Sequence, residues 1–169
     1  GDKVQMHRYI AMLILFVANC LFWALFEQAG SSLNFFARDF VEAPFHFSVF
    51  QSANPMFIIL LAPVFAMLWP LLDRKNFNPS IPRKFAIALV GVGFGFFVLV
   101  LAIKATPEGQ KVFWMMLALT YLIHTMAELC LSPIGLSMVT KLAAPKEVGM
   151  AMGGWFLSTA MANYFAGMI

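Results

Sequence analysis

The sequence predicts an all-α membrane protein with about five transmembrane helices. Three observations carry that fold class. Of 169 residues, 62% are hydrophobic and only 11% are charged, with a mean hydropathy of +0.83. A soluble domain is about half apolar and about a quarter charged. Clusters of charged and turn-forming residues cut the chain into five apolar segments, each near or above the ~20 residues that a spanning helix needs. No segment shows the ~10-residue alternation of a membrane β-barrel strand.

The segments are 9–37, 47–72, 85–103, 112–140 and 148–169. The first lies between Arg8 and Arg38 and carries Glu27 inside it. The second ends at "DRKNFNPS" and contains Pro55 and Pro63. A proline frees a backbone carbonyl and kinks a helix, which membrane proteins tolerate where a neighbour satisfies the freed group. The third contains "GVGFG", in which Gly91 and Gly95 form a small-residue packing face. The same glycines lie mid-helix with no preceding strand, so a nucleotide-binding loop is excluded. The fourth runs between Lys111 and Lys141 and holds Glu128 and Pro133. The fifth starts after "APKE", an ordinary helix start. Segments longer than the bilayer needs imply tilt or kinks. Ile169 falls inside an apolar stretch, and the chain reads as a piece of something longer.

The net charge of +3 is spread thinly and forms no basic stripe, which argues against nucleic-acid binding. Cys20 and Cys130 lie in apolar runs without metal-ligand spacing and read as packed free thiols. No cleavable signal peptide is evident. Of the basic residues, Lys3, Arg8, Arg74, Lys75, Arg83, Lys84, Lys141 and Lys146 fall on one side of the predicted membrane, and Arg38, Lys104 and Lys111 on the other. The positive-inside rule therefore predicts a cytoplasmic amino terminus in the cytoplasmic (inner) membrane. Metalloprotease, hydrolase and Walker motifs are absent, and the reading is not an enzyme, with no cofactor.

Two carboxylates stand out because they are deep in the membrane by sequence. Glu27 is 11 residues from Arg38, and Glu128 is 13 from Lys141. Each is thus more than ~15 Å along its helix from a charged flank. A charge at the bilayer centre costs roughly 2.5–3.5 kcal/mol on insertion scales, so such residues generally mark a pathway. Burial disfavours a charged carboxylate and a nearby cation favours it, so a site alternating between the two environments takes up and releases protons. At about 100° per residue, Trp23, Ser31, Asn34 and Arg38 share the Glu27 face of a continuous helix, and Tyr121, His124, Thr125, Ser132 and Gly135 share that of Glu128. Gln51 and Asn54 form a shorter seam beside Pro55, and Trp155 lies near Ser158 and Thr159. The bland readings are interhelical glue for Ser, Thr and Asn, packing for Trp, and a hydrogen-bonded bystander for His124. Asp39 and Glu42 read as solvated residues at a helix end.

Four stretches, "FWALFEQAGSSLNFFA", "FQSANPMFIILLAPVFAMLW", "AELCLSPIGLSMVTKLA" and "MGGWFLSTAMAN", resemble the proton-coupled oligopeptide transporter (POT/PTR) family of the major facilitator superfamily. The resemblance implies a carboxy-terminal bundle running from the family's seventh helix into its eleventh. It implies that Glu128 pairs with a peptide's amino group or a gate lysine, and that Asn54 bonds the peptide backbone. By the same resemblance Glu27 takes part in proton coupling and gating with an arginine of the amino-terminal half. Trp23 and Trp155 match aromatic positions lining side-chain pockets, with Ser158 nearby, and Asp39 sits where some members place an outer-gate acid. The family's first-helix motif of paired acids, arginine and tyrosines stands nowhere in the chain, nor do the basic residues that would hold a peptide's carboxylate.

The implied function is proton-driven symport of di- and tripeptides by alternating access, in a full-length parent containing the missing amino-terminal transmembrane half. The implied partners are those peptides, that half and the lipid bilayer, with no nucleic acid. Two other readings stay open: a proton-coupled transporter of nitrate or another small metabolite, and a non-transporting membrane interaction module in which the acids only specify helix pairing.

Overall fold

The computed structural model describes residues 2–169. It contains six α-helices, α1 (Asp2–Phe26), α2 (Ser32–Phe40), α3 (Ala53–Arg74), α4 (Ile81–Ala105), α5 (Trp114–Leu142) and α6 (Val148–Ala166). Short 3-10 turns at Glu27–Ala29 and Phe47–Ser52 precede α2 and α3. By length and composition, four stretches suffice to cross a membrane: Lys3–Phe40, Phe47–Arg74, Ile81–Ala105 and Trp114–Leu142. α6, with 19 residues, is apolar but not among those four.

The first predicted span is therefore not one continuous helix. Its α-helical ladder breaks at Glu27, passes through the 3-10 turn and Gly30, and restarts with Ser31 at the N-cap of α2. The face count assumes a continuous helix at about 100° per residue, and the 3-10 turn with the non-helical Ser31 interrupts that periodicity. Arg38 accordingly turns outward. Its guanidinium pairs with Asp39 at 2.7 Å and lies 5.2 Å from the Phe35 ring centroid.

The second span opens as a 3-10 turn, and Pro55 falls in the first turn of α3, where its missing N–H is no loss. Pro63 and Pro70 lie within the helix. α4 begins at Ile81, upstream of the apolar run, with Pro82 preset for a first turn. This start takes Lys84 into the helix. Lys84 is buried, with its ammonium 4.0 Å from the Trp69 ring centroid, a cation–π contact that hydropathy alone does not foresee. The start of the fourth segment forms strand instead of helix. Val41–Glu42 (β1) and Val112–Phe113 (β2) pair in parallel, Val41 opposite Val112. Strand pairing was not expected from the sequence. It arises because the loops leaving α2 and entering α5 run side by side and satisfy each other's backbone groups.

The most extensive contacts are α4 along α5 and α1 along α6, with α3 laid on α5. Small residues set the closest approaches, as expected where lipid removes the hydrophobic drive between helices. A methyl group on Gly95 would run into the His124 ring, and one on Gly135 into the Trp155 and Phe85 rings. Gly91 faces Ala127 in the same way, so Gly91 and Gly95 do form the packing face read from their spacing. Phe22, Val92, Leu131 and Val139 are completely or almost completely buried within one core, and Leu33, Phe50, Leu117 and Tyr121 belong to a second. Large apolar side chains such as Ile59 (74% exposed) and Val90 (72% exposed) point outward, which suits lipid and not water.

Candidate functional site

The chemistry gathers where α5, α3 and the broken first span meet. Asn54 sits at the second position of α3, directed there by the preceding 3-10 turn. Its amide nitrogen donates to a Glu128 carboxylate oxygen at 2.9 Å and to the Thr125 hydroxyl at 3.1 Å. Thr125 in turn donates to the Tyr121 carbonyl one turn back at 2.8 Å. Glu128 is thereby held on the inward face of α5 but stays half-exposed. A hydrogen bond to a carboxylate is worth more than a neutral one, about 1.5–3 kcal/mol, and it fixes the orientation of the acid.

Glu27 is half-exposed at the start of the 3-10 turn, two residues before the Ala29 carbonyl that Tyr121, on the Glu128 face of α5, holds. Among the described residues no hydrogen bond or ion pair reaches its carboxylate. The break beside it is held by side chains from three directions. The Ala29 carbonyl accepts from Gln51 at 2.9 Å and from the Tyr121 hydroxyl at 3.2 Å. The Gln28 amide donates to the Ala24 and Ala166 carbonyls, both at 3.2 Å, and its oxygen accepts from Ser32 at 2.7 Å and Ser31 at 3.2 Å. Gln51 also donates to Asn34 at 3.1 Å. In a bilayer, backbone groups freed from a helix must be paired in this way.

Of the residues predicted for the site, Glu128 and Asn54 are in direct contact, and Glu27 is their neighbour. Trp23 is half-buried and packs edge-on to Phe22 and Phe26, with ring centroids 5.5 and 5.2 Å away. Trp155 and Ser158 belong to a different cluster, between α1, α5 and α6. The Trp155 ring lies against Gly135 with Phe16 and Phe85 around it. Ser158 donates to the Trp155 carbonyl at 2.6 Å and accepts from Asn19 at 2.8 Å. Both are buried, so in this bundle they read as packed, with Ser158 reaching one groove of about 590 Å³ between α1 and α6. His124 faces away from Glu128. Its Nε2 lies 3.1 Å from the Val92 carbonyl, and its ring sits beside Phe96 and Phe26.

Sequence reasoning missed Asn19 and Gln28. Asn19 is fully buried and also donates to Thr159 at 3.1 Å. Gln28 is 4% exposed. Both are amides inside an apolar run, the same signal that singled out the carboxylates, but they carry no charge to draw notice. Among the described residues no group of three or more His, Cys, Asp and Glu could hold a metal ion, and Cys20 and Cys130 are free thiols.

A bundle of kinked apolar helices with an acid–amide pair on its inward seam defines a polytopic integral membrane protein. The family model described as PTR2, POT family, matches residues 2–169, and the chain belongs to that family of transporters. It is 40% identical to the peptide transporter YePEPT of Yersinia enterocolitica, over 96% of this chain and 33% of that protein. It is 34% identical to the dipeptide and tripeptide permease A of an Enterobacter species, over 96% of this chain and 33% of the permease. The crystal structure of a peptide transporter POT in complex with sulfate superposes with a TM-score of 0.87 at 40% identity, covering 97% of this chain and 34% of that one. The chain thus spans about a third of the length of the curated relatives it matches.

Proposed function

We propose that this chain forms helices seven to eleven of a proton-driven symporter of di- and tripeptides that works by alternating access. The observation that carries the reading is the Asn54–Glu128 pair with Glu27 beside it, inside an apolar bundle. A carboxylate in that position attracts a peptide's ammonium group, and the neighbouring amide offers hydrogen bonds to its backbone. The names of the similar transporter and permease support peptides as cargo. Glu128 and Asn54 bind substrate, with Trp23, Trp155 and Ser158 as walls of side-chain pockets in the complete protein. Glu27, together with Glu128, takes up the coupling proton.

In the mechanism, two neighbouring carboxylates resist being ionised together unless a cation lies between them. A cation from the amino-terminal half of the parent satisfies them in one state. Protonation, or arrival of a peptide's ammonium, releases that cation and changes which gate is open. The bias of Lys and Arg supports an amino terminus on the cytoplasmic side of the inner membrane.

The test is peptide uptake by the full-length parent in proteoliposomes. Dialanine should compete for uptake and nitrate should not, because a carboxylate at the site repels an anion. Glu27→Gln should abolish the dependence of uptake on an inward proton gradient. Uptake that keeps an unchanged proton dependence in this variant would sink the coupling role, and competition by nitrate would move the substrate class. A parent that neither takes up peptides nor is stabilised by them would favour the interaction-module reading.

A further inference from the structure

The Glu27 turn is held from outside its own helix, and its holders have no role in the mechanism above. Tyr121 is 2% exposed, and its ring stacks on Phe50 at 6.2 Å with an interplanar angle of 13°. The stack fixes the direction of the hydroxyl, which donates to the Ala29 carbonyl. That carbonyl lies two residues beyond Glu27 and also accepts from Gln51. In an unbroken helix it would accept from the N–H of Leu33. Here the N–H groups of Asn34 and Phe35 go to Ser31, where α2 restarts, and side chains take over at Ala29. Tyr121 and Glu128 are seven residues apart on one face of α5, about 10 Å along its axis. One helix therefore both grips the turn that carries Glu27 and presents the acid that Glu27 approaches.

We propose that Tyr121 and Gln51 are positioning residues, which hold the unwound Glu27 turn through the Ala29 carbonyl and so set the spacing of Glu27 from Glu128 and the proton dependence of transport. The proposal rests on the peptide-symport reading. The titratable groups on α5 that face the turn are Glu128, Tyr121 and His124, whose ring lies 6.2 Å from Phe26. The segment leading into α3 offers Gln51 and Asn54, α6 offers the Ala166 carbonyl, and α4 has no titratable side chain between Lys84 and Lys104. On α2, Arg38 and Asp39 are engaged with each other. The acid pair is thus the charge system that a displaced turn would perturb.

The test compares Tyr121→Phe and Gln51→Met with wild type in the full-length parent reconstituted in liposomes. Tyr121→Phe keeps the ring stack and removes only the donor. Proton-driven dialanine uptake should fall about fivefold in Tyr121→Phe, the equivalent of one lost hydrogen bond, and at least as far in Gln51→Met, which also loses the bond to Asn34. The pH midpoint of uptake should shift by at least about half a unit, while dialanine counterflow without a proton gradient stays within about twofold. A merely structural role would lower uptake and counterflow together with an unmoved pH profile, and that result overturns the proposal. So does an unchanged pH profile and rate in both variants. Absence of proton-driven dialanine uptake in wild type would instead overturn the symport reading on which the proposal rests.

Discussion

Replacing Gln28 by leucine removes an amide that ties three pieces of the bundle together with little change in volume. Four hydrogen bonds end on this side chain: two donated to the Ala24 and Ala166 carbonyls and two accepted from Ser31 and Ser32. Ser32 is exposed and finds other partners easily. The Ala166 carbonyl is the costly loss, because it belongs to a buried residue in the last turn of α6. An unsatisfied buried carbonyl costs about 1–3 kcal/mol, and each remaining bond about 0.5–1.5 kcal/mol. Leucine returns about 1 kcal/mol of apolar burial. With the Ser32 bond set aside, the net expectation is a destabilisation of about 3 kcal/mol. Denaturant unfolding in mixed micelles measures it, with Ser32→Ala as the second arm of a double-mutant cycle expected to show about 0.5–1 kcal/mol of coupling. A Gln28→Leu protein within about 0.5 kcal/mol of wild type, with no coupling to Ser32, would refute the idea that this amide holds the break.

Other outcomes follow from the same geometry. Gly135→Leu should cost more than about 3 kcal/mol in the same unfolding measurement, because the Trp155 and Phe85 rings occupy the space of even a methyl group. His124→Leu should be nearly neutral, since it loses the Val92 contact but also removes a buried Nδ1 that has no partner, whereas His124→Ala should cost about 2–4 kcal/mol through the cavity it leaves. Asn54→Leu should weaken dialanine affinity about tenfold or more by equilibrium binding to the full-length parent, because Glu128 loses the bond that orients it. Glu128→Gln should weaken it further, as it removes the charge that meets the ammonium.

Much of the bundle was legible because membrane helices announce themselves by composition. Five apolar segments separated by charged clusters required no knowledge of tertiary contacts. The Asn54–Glu128 contact was not readable from the spacing of residues, but each partner was flagged, one by its charge and one by resemblance. The break at Glu27 was hidden. The run from 9 to 37 contains one internal glycine, Gly30, and no proline, and nothing local says that the helix must end. Its cause lies in tertiary partners: Gln51 and Tyr121 pair the Ala29 carbonyl that the break exposes, and the Gln28 side chain ties the turn to the end of α6. Lys84 escaped for the opposite reason. As a charge it was assigned to a flank, whereas the ring of Trp69, 15 residues earlier, gives it a buried seat. Trp155 and Ser158 were named by resemblance, and no spacing in the sequence says that one lies against Gly135 and the other against Asn19.

The short parallel pairing of Val41 with Val112 has a practical side. Neighbouring strands lie about 4.8 Å apart, inside the range of Cα separations that a disulfide spans. Both valines are buried, so a cysteine pair at these positions would be shielded from bulk reductant once closed. Such a link would bolt the far end of α2 to the entry of α5 and leave the turn at Glu27 untouched. Once Val41→Cys and Val112→Cys are in place, oxidation would fix the bundle at this end and leave the opposite end to move as before.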